Sequence, residues 1–142
     1  MEPTAIVFPA IAMFFITFGM VARMAVLRVG AVRRGEISIR YYRLYDEGAE
    51  QGRLRQISRH VQNHFEVPPL FYVAVLFLYA TGSVTPLGVG LAWLYVALRA
   101  VHSFVHLGRN DVTLRLAVWA SSALVLGGLW LVLLVSLLSR RA

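Results

Sequence analysis

One carboxylate stands inside an otherwise apolar stretch of this chain. Glu66 lies three residues after Asn63 and seven after Arg59, separations that put all three on one face of a helix. Pro68 and Pro69 follow at once. Neither can donate a backbone N–H, so the carbonyls of His64 and Phe65 lose their helical partners and the helix bends. A carboxylate beside such a bend is a place to hold a polar ligand. A second set comes from Arg99, His102 and His106, at i, i+3 and i+7 in a later apolar stretch, and Arg115 sits one turn into a third. Ionisable groups in hydrocarbon cost at least about 2.5 kcal/mol each, so those kept there need partners. Several guanidinium groups and one carboxylate at similar depth match a small, multiply charged anion that also carries an ammonium group. A Glu66–Arg99 pair that ties two helices together and does no chemistry would use the same residues.

The elements that must position these groups are membrane spans. The 142 residues are 58% hydrophobic and contain no cysteine, which excludes disulfides and thiolate metal sites. The net charge is +7 and all 14 basic residues are arginine. These arginines flank apolar stretches, which points to orientation in a membrane and away from a nucleic-acid partner. Four spans are expected, over about residues 5–22, 65–80, 87–107 and 112–138, in one domain covering 1–142, with a cytoplasmic loop over about 23–59. The first is not a secretory signal, because Glu2 precedes it and its arginines follow it. The fold class is therefore all-α, an integral membrane four-helix bundle. The loop carries nine arginines, whereas the turn from Thr81 to Pro86 carries no charge. The positive-inside bias then places both termini outside the cytoplasm, with Arg140 and Arg141 counting mildly against it. The polar stretch Arg53–His64, preceded by Gly48 and Gly52, runs into the second span as one long helix.

Other residues have plainer readings. Arg23, Arg28 and Arg109 read as anchors reaching for the interface. His60 and His64 read as bystanders on a solvated helix. His102 and His106 have a spacing that zinc can use, but no further ligand is evident and no metal is expected. Trp93, Trp119 and Trp130 read as packing and interface aromatics. Ala123 and Gly127 form a small-xxx-small pair, a weak sign of close helix contact.

The stretch from Arg59 through Asn63 and Glu66 to Pro69 resembles the second-helix signature of the MAPEG family, the membrane-associated proteins of eicosanoid and glutathione metabolism. Arg99-Ala-Val-His102, followed by a short turn and Arg115, is similar to that family's later helices, and the likeness covers nearly the whole chain. The resemblance implies a homotrimer that binds glutathione as co-substrate between neighbouring subunits at the cytoplasmic end. Arg59, Asn63, Glu66, Arg99, His102 and His106 would then line the glutathione site, with Glu66 meeting the ammonium group. Arg33 looks like the first-helix arginine that meets a glutathione carboxylate. Arg115 resembles the arginine that stabilises the thiolate, since a nearby guanidinium favours the ionised thiol. The acceptor would be a lipophilic small molecule arriving from the bilayer.

This chain departs from the best-known members at Gln62, where they have a second arginine, at His106 and Trp119, where they have tyrosines, and at Leu116, where some have serine. Those changes count against prostaglandin or leukotriene synthesis. The pattern looks closer to bacterial members, and the alanine-, valine- and arginine-rich composition fits a bacterial inner membrane. The leading expectation is a glutathione transferase or peroxidase acting on lipophilic electrophiles. The alternative is a non-catalytic binding or scaffolding protein of the same fold. A proton-coupled exporter would need a carboxylate in the first span, and residues 5–22 have none.

Overall fold

A computed structural model describes residues 2–45 and 50–140. Every regular element in them is helical. A 3-10 turn, Pro3–Ile6, leads into α1 (Val7–Arg33), and a single turn, α2 (Tyr41–Leu44), interrupts the following loop. Then come α3 (Gly52–Glu66), α4 (Pro68–Ala80), α5 (Pro86–Leu107) and α6 (Val112–Leu138). Gly48, which precedes the polar stretch in sequence, lies outside the described residues, as do Asp46 and Arg141.

Three helices are long and apolar enough to cross a bilayer: Pro3–Arg33, Pro86–Leu107 and Val112–Leu138, with mean hydropathies of 2.3, 1.4 and 2.3. Their outward surfaces are apolar, with Phe15, Phe104 and Leu124 at 65%, 83% and 78% exposure, as expected where the solvent is lipid. The lower value for α5 reflects its polar stripe. Gly88, Ala92, Tyr95, Val96, Arg99, His102, Ser103 and His106 form one buried face. α5 touches α1, α3 and α6, and α4 packs against α1, α3 and α6.

One expectation is extended and one needs correction. The helix that holds the expected first span, about residues 5–22, runs on to Arg33. The arginines from Arg23 onward carry no helix-breaking signal, so the helix continues through them. The stretch from Arg53 to Ala80 is not one long helix. It splits at Val67, which ends α3 and precedes α4, because Pro68 and Pro69 withhold two consecutive backbone donors. α4 alone has 13 residues and spans only about 20 Å at 1.5 Å per residue.

The core has two parts. Ile6, Met13, Phe71, Leu78, Tyr95 and Leu129 anchor the larger cluster, where Phe71 stacks on Tyr95 with centroids 4.5 Å apart. Ala31, Leu54, Ile57 and Val61 form the smaller one, joining the end of α1 to α3. Thr85 caps α5 by accepting from Gly88 N at 3.0 Å. Arg140, beyond the end of α6, donates to the carbonyls of Thr81 and Gly82. That arginine is therefore occupied in closing the α4–α5 turn, where Gly82 has φ +63°, a left-handed conformation that suits glycine.

Polar contacts fix the other end. Arg28 donates from Nε to Glu50 Oε1 at 2.8 Å and from Nη2 to Ser58 Oγ at 3.2 Å, and its guanidinium lies 5.1 Å from the Tyr42 ring centre. These contacts join α1, the loop and α3. Nearby, two hydrogen bonds from Arg34 hold the exposed Glu36 carboxyl below the usual carboxylate range. Arg28→Ala would leave the buried Glu50 carboxylate without its cation. The expected result is a loss of roughly 2 kcal/mol of unfolding free energy, less than for a fully buried pair because Arg28 is partly exposed. Amide hydrogen exchange along α3 should quicken with it, and unchanged exchange would show that the contact does not hold α3 in place.

Candidate functional site

α3 carries two functional stripes. The first holds Arg59, Gln62, Asn63 and Glu66, at i, i+3, i+4 and i+7. α6 answers with Val112, Arg115, Leu116 and Trp119 at the same intervals, and α5 adds His102 and His106. Together they line a cleft of about 530 Å³. The turn before α6 sets one wall. Asn110 adopts φ +53°, Asp111 accepts from Leu114 N at 2.8 Å to cap the helix, and Asn110 Oδ1 accepts from Arg115 Nη1 at 2.7 Å. The Arg115 side chain is thus steered toward the cleft by the turn one helical turn before it.

The cleft has a charged rim and a buried back. Arg59, Gln62 and Glu66 are exposed, while His102 and His106 are 2% and 3% exposed. Val112, Leu116 and Trp119 make one side apolar. Glu66 forms no ion pair among the described residues. A free carboxylate thus shares a cavity of small-molecule size with the guanidinium groups of Arg59 and Arg115, with an apolar wall beside them. That set can bind a zwitterionic anion and keep an apolar molecule next to it.

Six of the expected site residues, Arg59, Asn63, Glu66, His102, His106 and Arg115, come together here. Arg33 and Arg99 do not. Arg33 lies exposed at the end of α1. Arg99 is fully buried, and its Nη2 donates to the Asn63 carbonyl at 3.3 Å. It neither pairs with Glu66 nor lines the cleft. Its partner belongs to the last turn of α3, where orphaned carbonyls and the negative end of the helix dipole attract a cation.

The second stripe was read as solvated and is not. His60 and His64 are 0% and 2% exposed. They fall in line with Leu54, Ile57 and Val61, the apolar face of α3, and that alignment was the signal available in the sequence. Ser103 donates to the Arg99 carbonyl at 2.9 Å, so its oxygen must accept from the rings around it. His60 Nε2 and His64 Nε2 lie 2.9 and 3.2 Å from that oxygen and 3.2 Å from each other, because they converge on one acceptor. His60 Nδ1 is then bare and accepts from His106 Nδ1 at 3.1 Å. His64 Nδ1 accepts from the Thr17 hydroxyl at 3.0 Å. One set of neutral tautomers satisfies these contacts with Ser103, His106 and Thr17, and leaves the His60 Nε2–His64 Nε2 approach as two donors sharing one acceptor. His102 stands apart, with neither ring nitrogen partnered.

The MAPEG family model matches residues 6–135. The chain belongs to the MAPEG family. Comparisons with curated proteins and with solved structures gave no match. Together with the three apolar helices, the family makes this an integral membrane protein. In this MAPEG chain the cleft brings together residues from three helices, so its geometry depends on how α3, α5 and α6 pack.

Ser103→Ala removes the acceptor shared by two buried imidazole N–H groups. The expected cost is roughly 3 kcal/mol of stability, read from reversible unfolding in mixed micelles. A variant as stable as the parent would rule out the tautomers assigned above.

Proposed function

We propose that the protein is a membrane glutathione transferase or peroxidase acting on lipophilic electrophiles, with glutathione as co-substrate. The observation that carries this reading is the unpaired Glu66 carboxylate lining the same cleft as Arg59 of its own helix and Arg115 of α6. Glutathione has two carboxylates, one ammonium group and a thiol. Glu66 takes the ammonium group, Asn63 bonds the peptide portion, and Arg59 meets a carboxylate. Arg115, held by Asn110, faces the thiol. A fixed guanidinium favours the thiolate over the thiol, which raises the nucleophile's population at neutral pH. The apolar wall of Val112, Leu116 and Trp119 receives the acceptor from the bilayer.

The exposed rim is incomplete within one chain, and the family resemblance supplies the remainder. In a homotrimer, the cleft of one subunit lies against its neighbour, and Arg33 of that neighbour reaches a glutathione carboxylate. The last turns of α3 together with α4 make a fourth crossing, and the protein lies in a bacterial inner membrane with both termini outside the cytoplasm. Arg99 acts here by position, holding the end of α3 from which Asn63 and Glu66 project.

Calorimetric titration of glutathione into the purified protein tests the binding. Glu66→Ala is expected to weaken it about tenfold or more, the loss of one charge-assisted bond worth at least about 1.5 kcal/mol. Binding untouched by that change relocates the site. Ultraviolet absorbance of bound glutathione tests the chemistry. Thiolate should be present well below pH 8.5, near which a free thiol is half ionised, and should vanish in Arg115→Ala, with turnover falling about 10²-fold or more. Binding without thiolate or turnover would instead mark a non-catalytic member.

A further inference from the structure

The histidines of α3 and α5 form two i, i+4 pairs on packed helices: His60 with His64, and His102 with His106. One ring nitrogen from each of His60, His102 and His106 lies within 4.8 Å of the other two. All three side chains are buried, at 0%, 2% and 3% exposure. His102 is the telling member, because neither of its nitrogens has a partner. A buried imidazole with no hydrogen bond is unfavourable, and a ligand that accepts its lone pair satisfies one of its two nitrogens.

We propose that His60, His102 and His106 form a three-histidine site for a divalent transition-metal ion of the zinc type, with the fourth position opening into the cleft. Imidazole is the common ligand for such ions. Two features fit that role. His60 Nε2 donates to Ser103 Oγ at 2.9 Å, the outer hydrogen bond that fixes a metal-binding ring and leaves Nδ1 bare. His60 Nδ1 and His106 Nδ1 already lie 3.1 Å apart, close to the roughly 3.4 Å that two ligands of a tetrahedral zinc ion require at about 2.0–2.1 Å each. His106 has only to move its proton from Nδ1 to Nε2, so the apo hydrogen bond is replaced by coordination. The widest nitrogen pair must close by about an ångström and a half, a rotation of the unpartnered His102 ring. His64, with Nε2 turned to Ser103 and Nδ1 to Thr17, supports the site without entering it.

The charges nearby set the fourth ligand. Arg59 and Arg115 line the cleft, Arg99 lies behind it, and Glu66 is the one carboxylate on its wall. This surround opposes a bare dication and favours one that arrives with an anion. His102 and His106 face the cleft in which glutathione is proposed to bind, so its sulfur, giving up its proton to water, is the fourth ligand. This last step rests on the proposed function.

The test uses chelator-treated, refilled protein. Zinc measured by elemental analysis is expected at one ion per chain. Cobalt should give the visible spectrum of four-coordinate sites, gaining a sulfur-to-metal band when glutathione is added. H102L and H106L should each lose the ion while keeping the helical circular dichroism of the parent. H102L breaks no hydrogen bond in the apo protein and is therefore expected to fold. No stoichiometric ion in folded parent protein, with or without glutathione, overturns the site. So does an ion retained equally by both variants. A cobalt spectrum that glutathione leaves unchanged overturns the sulfur ligand. Glutathione calorimetry and the thiolate absorbance of Arg115→Ala, both on chelator-treated protein, report on the proposed function alone.

Discussion

The break at Val67 is the constraint on which the rest of this structure depends. Two prolines in sequence withhold their donors, so the helix that begins in the polar stretch must end at Glu66 and restart at Pro68. In a bilayer, orphaned carbonyls find no water, and each must be met by protein or kept near the interface. Arg99 stands at this end of α3. Its fully buried guanidinium reaches the Asn63 carbonyl, in the same last turn as the His64 and Phe65 carbonyls that the prolines leave without helical donors, and a cation at the C-terminal end of α3 is where the helix dipole stabilises it. A charge that would be costly alone in hydrocarbon becomes the partner of a helix end that would itself be costly.

That arrangement releases Glu66. If Arg99 were its partner, the one carboxylate on this face would be neutralised within the fold, and the cleft would present only cations. Because Arg99 turns to the backbone, Glu66 projects unpaired beside Asn63 and opposite Arg115. The two candidate roles of Glu66, structural tie or ligand partner, are thus separated by which atom Arg99 donates to. The backbone contact favours the ligand.

Much of the cleft was legible in spacing. Arg59, Asn63 and Glu66 must share a face at 3.6 residues per turn, and the cleft uses that face together with Gln62. Arg115 was legible from its place one turn into α6. Other parts were not. Arg99 joins the cleft set by its charge and its helix face, yet it is buried against the last turn of α3. Arg33, which enters only through the family resemblance, lies at the end of α1 away from the cleft of its own chain. Residue type reports a need for a partner and does not say whether a side chain or a backbone carbonyl supplies it. His60 and His64 were misread because α3 is polar overall, and polarity was taken to mean solvent. Their register with Leu54, Ile57 and Val61 indicates the opposite, since a histidine on the apolar stripe of an amphipathic helix is carried into the core with it.

The two stripes of α3 are not independent. Asn63 belongs to the cleft through its side chain and to Arg99 through its carbonyl, while Ser103 ties His60 and His64 to the Arg99 carbonyl one turn earlier on α5. A small rotation of α3 about its axis would therefore move the cleft residues and lengthen the imidazole contacts together. Buried polar networks resist such changes because each lost bond leaves a group unsatisfied in a medium that cannot replace it. In this chain the histidines behind the cleft hold α3 in register with α5, and that register keeps Asn63 and Glu66 on the cleft that Arg115 also lines.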